Sequence, residues 1–228
     1  MPTEPEKSST SNKRLIWLLA IALAVIVFNT MQMQALKTAI ANRPSVPTGQ
    51  SPVAAAGDAP FPTGIPAIYG NELGVSFDAV SPATPDLADS TIQRLGQLDV
   101  DLTLNAEQKK RYINVLYTLN KGISCEYCCG ARAVIFENGE AACGCAHSFA
   151  MRGLTKYLII NHGAQYTDEQ LLEEAGKWKM LFFPTQMGQK AAVLKANGIE
   201  PTVMNLASNQ YRGVERGQTQ GGGMVGGC

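Results

Sequence analysis

Cysteine is the residue type most concentrated in one part of this sequence. Five of the six cysteines lie between Cys125 and Cys145, and His147 follows two residues later. Thiolate sulfur and imidazole nitrogen are the ligands that zinc and copper prefer in proteins. Two tight pairs of such ligands bring four donors within about 2.0–2.3 Å of a tetrahedral ion at low entropic cost. The spacing therefore predicts a metal site. Its preferred ligands are Cys125, Cys128, Cys143 and Cys145, with Cys129 and His147 in reserve.

The residues between the two cysteine pairs predict a β-hairpin. Residues 131–146, ARAVIFENGEAACGCA, form two short β-prone runs around Asn138-Gly139, a dipeptide that favours a tight hairpin turn. A helix is expected to start at Ala146. The order of cysteine turn, hairpin and helix resembles a treble-clef zinc finger, in which the turn and the first helical turn each supply two ligands.

Copper is the alternative to zinc. Cys143, His147 and Met151 are spaced four apart, so one helix face would present sulfur, imidazole and thioether donors, a set typical of copper sites. For the methionines, packing in the core is the simpler interpretation. Two structural disulfides and a reactive thiol–disulfide pair are other uses of the same cysteines. The predicted cofactor is a copper or zinc ion.

One part of the sequence resembles a known family. The stretch CCG…CGCAHS, followed by a helix and by YTDEQLLEEAGKWKMLFFPTQM, is similar to bacterial surface lipoproteins known by a Pro-Cys-Tyr-Cys-Gly-Cys motif. The resemblance covers about residues 120–188. It implies a metal-binding surface protein, with copper as the ion. By position, the implied ligands are Cys143, Cys145, His147, Cys125, Cys128 and Met187.

Apolar periodicity and capping signals predict a mainly helical, cysteine-rich metal-binding domain over residues 105–200. Asn105 with Gln108, and Thr167 with Gln170, match the capping-box pattern that starts helices. Further helices are expected over residues 86–97, 146–162 and 186–197. The predicted fold class is mainly α with a small β-hairpin, preceded by an N-terminal membrane helix.

The N-terminal sequence predicts a membrane anchor. Residues 15–28 are strictly apolar and the run stays uncharged to residue 36, which is about the length that crosses a bilayer. Basic residues before the span favour a cytoplasmic N-terminus and an extracytoplasmic C-terminal domain in a single-pass cell-membrane protein. A signal peptide with its cleavage site at Ala39-Ile40-Ala41 is the alternative. The predicted segments are a cytoplasmic tail (1–14), an anchor (15–36), a Pro/Ala/Gly-rich spacer (37–66), a flank (67–104) and a flexible Gly-rich tail (201–228).

Charge and motif content disfavour other classes of function. The 228 residues include 19 basic and 19 acidic side chains, and this balance argues against a nucleic-acid partner. No glycine-rich phosphate loop or Ser/His/Asp arrangement points to catalysis. We therefore expect a membrane-anchored metal-binding protein that is not an enzyme, with the anchor helix or Cys228 as a route to a dimer. A redox or electron-transfer protein and a structural interaction module are the alternatives.

Overall fold

The computed structural model describes residues 59–128 and 130–216, and 59% of these residues are helical. The α-helices are α1 (Gly70–Leu73), α2 (Pro85–Asp101), α3 (Ala106–Ile113), α4 (Ala146–His162), α5 (Asp168–Phe182), α6 (Pro184–Ala196) and α7 (Val203–Ala207). Short 3₁₀ turns lie at Phe77–Ala79, Leu119–Lys121 and Asn209–Tyr211, and a π-helical turn at Asn114–Thr118 extends α3.

Both predicted capping boxes are confirmed. At α3, the Asn105 side chain accepts a hydrogen bond from the Gln108 N–H at 2.9 Å, and the Gln108 side chain accepts one from the Asn105 N–H at 3.0 Å. Thr167 and Gln170 form the same reciprocal pair at the start of α5. Each box satisfies two N–H groups that the helix itself leaves without partners.

Helices α2 and α4 make the most extensive helix–helix contact in the described residues. Their close approach depends on Gly153 of α4, where an added Cβ would lie 2.1 Å from the carbonyl oxygen of Leu95 and 2.7 Å from the amide nitrogen of Asp99. Leu95 and Leu154 are fully buried at this contact. Residues 67–104, considered a flank from the sequence, therefore contribute a helix to the same core.

A second part of the core centres on Trp178 of α5. Its indole N–H donates a hydrogen bond to the Tyr69 hydroxyl at 2.9 Å, and that hydroxyl donates to the carboxylate of Glu174 at 2.9 Å. The ring of Phe77 packs 4.9 Å from the indole, centroid to centroid. Because the polar ends of both buried aromatic residues are paired, this cluster stabilises the fold without leaving polar groups unsatisfied.

The predicted β-hairpin is wrong. Asn138 and Gly139 do lie at a turn, but the two arms share a single isolated bridge, Ile135 to Ala141. The reason is competition for backbone groups. The arms exchange two backbone hydrogen bonds, from the Phe136 N–H to the Glu140 carbonyl at 2.8 Å and from the Ala142 N–H to the Val134 carbonyl at 3.1 Å. Other backbone groups of the arms pair with other elements, since the Val134 N–H donates to the Ile123 carbonyl and Arg152 of α4 donates to the Cys143 carbonyl at 2.8 Å.

The predicted membrane anchoring is also corrected. Within residues 59–128 and 130–216, no helix is both long enough and apolar enough to cross a membrane. The longest described helices, α2 and α4, have 17 residues each, fewer than the ~20 that a crossing needs. The predicted span of 15–36 lies outside the described residues. The described residues therefore do not support the predicted membrane helix, the membrane as a partner or the single-pass extracytoplasmic location.

The α2–α4 contact generates a stability prediction. Gly153→Ala should destabilise the protein by about 1–3 kcal/mol, the range for overpacking, although alanine is the better helix former. Gly96→Ala on the facing helix is the control, because its nearest contact would be the Phe149 Cβ at 3.2 Å. Urea unfolding measures both. A Gly153→Ala protein as stable as wild type would contradict the close backbone contact.

Candidate metal centre

Three of the predicted ligands come together in the structure. The Sγ atoms of Cys125, Cys143 and Cys145 all lie within 4.8 Å of one another. Cys145 Sγ is 3.3 Å from Cys125 Sγ and 3.5 Å from Cys143 Sγ. All three carry thiols and none is in a disulfide. The sequence separation of Cys125 from the other two means that tertiary structure, not local spacing, forms this group.

The start of α4 places Cys145 in the group. Cys145 is the N-cap residue of this helix, with extended backbone angles, and its carbonyl accepts the first helical hydrogen bond from Phe149. The N-terminal end of a helix favours negative charge, here a thiolate. One turn into the helix, the Ser148 hydroxyl lies 2.9 Å from Cys125 Sγ and 3.5 Å from Cys145 Sγ. Ser148 therefore links the two sulfur atoms.

Arg152, on the second turn of α4, holds Cys143 in place. Its guanidinium donates to the Cys143 carbonyl at 2.8 Å and to the Val134 carbonyl at 3.3 Å. The same guanidinium pairs with Asp99 of α2 at 2.7 Å, and both side chains of this ion pair are buried. A guanidinium has donors in a fixed plane, so it can orient a loop and a helix together. Cys143 and Cys145 are thus both fixed to α4.

Contacts among the sulfur atoms shift the pKa values of Cys125 and Cys145 in opposite directions. Hydrogen bonds with Cys143 and Cys145, and then burial, raise the pKa of Cys125. The hydrogen bond from Cys125 lowers the pKa of Cys145 well below the usual range of a thiol, and hydrogen bonds from His147 and Ser148 add to this effect against the opposing effect of burial. The favoured state is therefore a Cys145 thiolate that accepts a hydrogen bond from the neutral thiol of Cys125.

The site is open on one side. Cys125 and Cys143 are buried, whereas Cys145 is half-buried and its neighbour Gly144 is exposed. An added Cβ at Gly144 would meet no atom within 4 Å. An ion or an incoming ligand can therefore approach from the side of Cys145, while the other two sulfur atoms face the protein interior.

The remaining predicted ligands lie outside the mutually close set of thiols or are not described, although His147 is hydrogen-bonded to Cys145. Cys128 is half-buried on the same loop as Cys125, but its sulfur does not belong to the mutually close set. His147 is buried, with its ring 4.8 Å from Phe182 and 5.1 Å from Phe183, and is also outside this set. Met151, like Met187 of the family resemblance, is fully buried in the hydrophobic core. Cys129 lies outside the described residues. These four ligand assignments (Cys128, His147, Met151 and Cys129) stay predictions.

Sequence reasoning missed Ser148 and Arg152. A signal for them is present, because Ser148, Arg152 and Thr155 recur at helical spacing on the face of α4 that is otherwise apolar. Buried polar groups need partners, so such a polar stripe indicates a specific hydrogen-bonding role. The role itself, contact with cysteine sulfur and with the Cys143 carbonyl, depends on the tertiary arrangement.

Comparisons with known proteins add no assignment. No protein-family model, no curated protein and no solved structure matches the chain. The chemistry of this site is therefore inferred from its own geometry.

The buried ion pair of Arg152 is expected to contribute strongly to stability. Arg152→Met should lower the free energy of unfolding by about 3 kcal/mol, because Asp99 and the Cys143 carbonyl lose a buried partner. Lys109→Met, which breaks the exposed pair of Lys109 with Glu140, should cost less than about 1 kcal/mol. Urea unfolding distinguishes them. Equal effects of the two substitutions would contradict the role of Arg152.

The lowered pKa of Cys145 predicts its reaction with iodoacetamide. An ordinary thiol, with a pKa near 8.5, loses about tenfold in rate for each pH unit below that value. Because the pKa of Cys145 is lowered, its thiolate persists as the pH falls, and its alkylation rate should decline much less between about pH 8 and pH 6.

Mass spectrometry of peptides after timed alkylation measures this rate. Cys125→Ala removes the largest cause of the lowered pKa, so the alkylation rate at Cys145 should then fall more steeply with decreasing pH than in the wild-type protein. The same ordinary decline in the wild-type protein would show that the pKa is not lowered.

Proposed function

We propose that the protein binds one thiophilic metal ion through the Sγ atoms of Cys125, Cys143 and Cys145. The observation that carries this proposal is the convergence of three thiols from two separate parts of the chain. Sulfur donors select soft and borderline ions such as copper(I) and zinc(II) over magnesium or calcium.

The sulfur–sulfur distances support a shared ion. Two sulfur atoms bound at about 2.3 Å to one tetrahedral zinc ion lie about 3.8 Å apart. The distances of 3.3 Å and 3.5 Å from Cys145 Sγ are close to that value. Small outward movements of the side chains would therefore be enough to admit an ion, with little reorganisation of the backbone.

Electrostatic repulsion among the three thiolates would favour a bound cation at this site. Three adjacent thiolates repel one another, so without a cation some of the thiols must keep their protons. The raised pKa of Cys125 and the lowered pKa of Cys145 follow this pattern. A bound metal ion replaces the protons and neutralises the thiolates. The Ser148 hydroxyl would then donate to metal-bound sulfur, a contact that orients ligands.

Of the two ions, copper(I) fits the three-thiol set better. Zinc in proteins almost always has four ligands, whereas the mutually close set in the described residues consists of three cysteines. Copper(I) is stable with three sulfur ligands. The half-buried position of Cys145 favours an ion that can be exchanged with other molecules over a closed structural site.

A thiol–disulfide exchange protein is the second candidate, and one observation favours it. Cys145, with its lowered pKa, lies 3.3 Å from Cys125, so the Cys145 thiolate could attack a low-molecular-weight disulfide and Cys125 could resolve the mixed disulfide. One intramolecular disulfide would form and two small thiols would leave. This candidate predicts a reversible dithiol potential and no stoichiometric metal.

Metal titration of the full chain tests the proposal. The protein is purified and titrated without oxygen, with copper(I) against a chromophoric copper(I) chelator and with zinc(II) in parallel. We expect one copper(I) ion for each chain. Cys125→Ser, Cys143→Ser and Cys145→Ser should each weaken binding by more than ~100-fold, since changes even in surrounding hydrogen bonds cost 10–100-fold.

Cys128→Ser is the matched control, because it removes a thiol that lies outside the close set. We expect it to leave copper(I) affinity nearly unchanged. An equal loss in Cys128→Ser would assign this residue as a further ligand and favour zinc. Absence of any stoichiometric ion, together with a reversible dithiol potential, would overturn metal binding in favour of thiol exchange.

A further inference from the structure

The loop that carries Cys125 depends on a distant part of the chain. This cysteine loop, residues 121–132, contains one isolated bridge in its described part, from Ile123 to Ser208. Backbone groups that lack a regular partner strand must find donors elsewhere. Many of these donors come from residues 208–215, here named the C-terminal segment. This segment contributes no thiol to the site.

Asn209 of the C-terminal segment joins the two ends of the cysteine loop. Its side-chain amide donates to the carbonyls of Lys121 at 3.0 Å and Arg132 at 2.8 Å, while its backbone N–H donates to the carbonyl of Gly122 at 2.8 Å. Its side-chain oxygen accepts a hydrogen bond from Ser124, the residue before Cys125, at 2.7 Å. One buried residue therefore pairs with both ends of the loop.

Arg212 contacts the second half of the loop. Its guanidinium donates to three successive carbonyls, those of Gly130 at 2.9 Å, Ala131 at 2.7 Å and Arg132 at 3.0 Å. A planar guanidinium suits such a set of acceptors, whereas the ammonium group of a lysine does not. Arg212 is half-buried, so its substitution leaves no large cavity in the core.

The residue next to Cys125 is held by the same segment. Glu126 has a left-handed backbone conformation, with φ at 50°, which is unfavourable for residues other than glycine. Its fully buried carboxylate accepts hydrogen bonds from the Gly213 N–H at 2.6 Å and from Lys179 at 3.0 Å, and Lys190 lies 3.5 Å away. These contacts tie the turn at Cys125 to α5, α6 and the C-terminal segment.

We propose that the C-terminal segment positions Cys125 in the three-thiol site, with Asn209 and Arg212 as the positioning residues. The site then has two parts. Cys143 and Cys145 are fixed to α4, whereas Cys125 lies on the cysteine loop, which is hydrogen-bonded to the C-terminal segment. Displacement of this segment would release Cys125 and leave a two-thiol site. The consequence for metal retention rests on the metal binding proposed above; the positioning itself does not.

Arg212→Met tests the proposal in the metal-free full chain. We expect amides of residues 122–128 and 130–132 to exchange hydrogen about tenfold faster or more, because the loop opens without global unfolding. Alkylation of buried Cys125 should accelerate to a similar extent, with Cys143 unchanged. Arg212→Lys should show most of the same loss, and Asn209→Ala should act in the same direction. In the copper(I)-loaded chain, metal release should be about tenfold faster.

Arg94→Met is the matched control, because Arg94 also donates to a backbone carbonyl, that of Leu73 at 3.0 Å, but away from the cysteines. Arg94→Met should leave unchanged the amide hydrogen exchange of the cysteine loop, the alkylation rate of Cys125 and the rate of metal release. The proposal would be overturned if Arg212→Met left the hydrogen exchange of the loop amides unchanged, or if it accelerated the exchange of the α4 amides equally. If the wild-type chain binds no metal, the proposed function fails, while exchange and labelling still decide the positioning role.

Discussion

Buried backbone carbonyl groups require hydrogen-bond donors, and the chain segments that carry the cysteines have almost no strand partners to provide them. Long polar side chains from other elements take this role. Arg152 provides donors on the α4 side, while Asn209 and Arg212 provide them on the opposite side. The positions of the three thiols follow from this constraint, because each cysteine lies in or beside a segment whose backbone is held in this way.

Three charged side chains are buried next to Cys125. The carboxylate of Glu126 pairs with both Lys179 and Lys190, and all three side chains are fully buried. Burial and the charge of Lys179 lower the pKa of Lys190 to about 8, against the opposing effect of Glu126 and Glu215. Buried ion pairs often contribute no more stability than apolar residues would. Their value here is positional, since they hold the strained turn at Glu126.

Local sequence signals predicted the parts of the structure that depend on near neighbours. The capping boxes at Asn105 and Thr167 and the helix that follows Cys145 are local, and the structure contains them. The hairpin failed although its Asn-Gly turn signal was clear, because Arg152 and Ile123 compete for the backbone groups of its arms. The Asn-Gly dipeptide predicts where the chain turns, but it does not determine the hydrogen-bond partners of the residues on either side.

The candidate site was predictable only in part. Cysteine spacing identified Cys143 and Cys145 as neighbours, and it placed Cys125 with Cys128 as a pair. The structure brings Cys125 alone of that pair into the close set. Two residues separate Cys125 from Cys128. One of them, Glu126, has a buried carboxylate that pairs with Lys179 and accepts a hydrogen bond from the Gly213 N–H, and these contacts hold the turn between the two cysteines. Such a long-range contact leaves no periodic pattern in the sequence.

X-ray absorption spectroscopy of the copper(I)-loaded chain is the decisive measurement of the proposed three-thiol site, because it counts the sulfur atoms bound to the ion. We expect one ion with three sulfur ligands at about 2.3 Å, a bond length typical of metal–thiolate sites, and the loss of one sulfur ligand in Cys125→Ser. An ion coordinated by nitrogen or oxygen alone, or a sulfur count that Cys125→Ser does not change, would contradict the proposed three-thiol site.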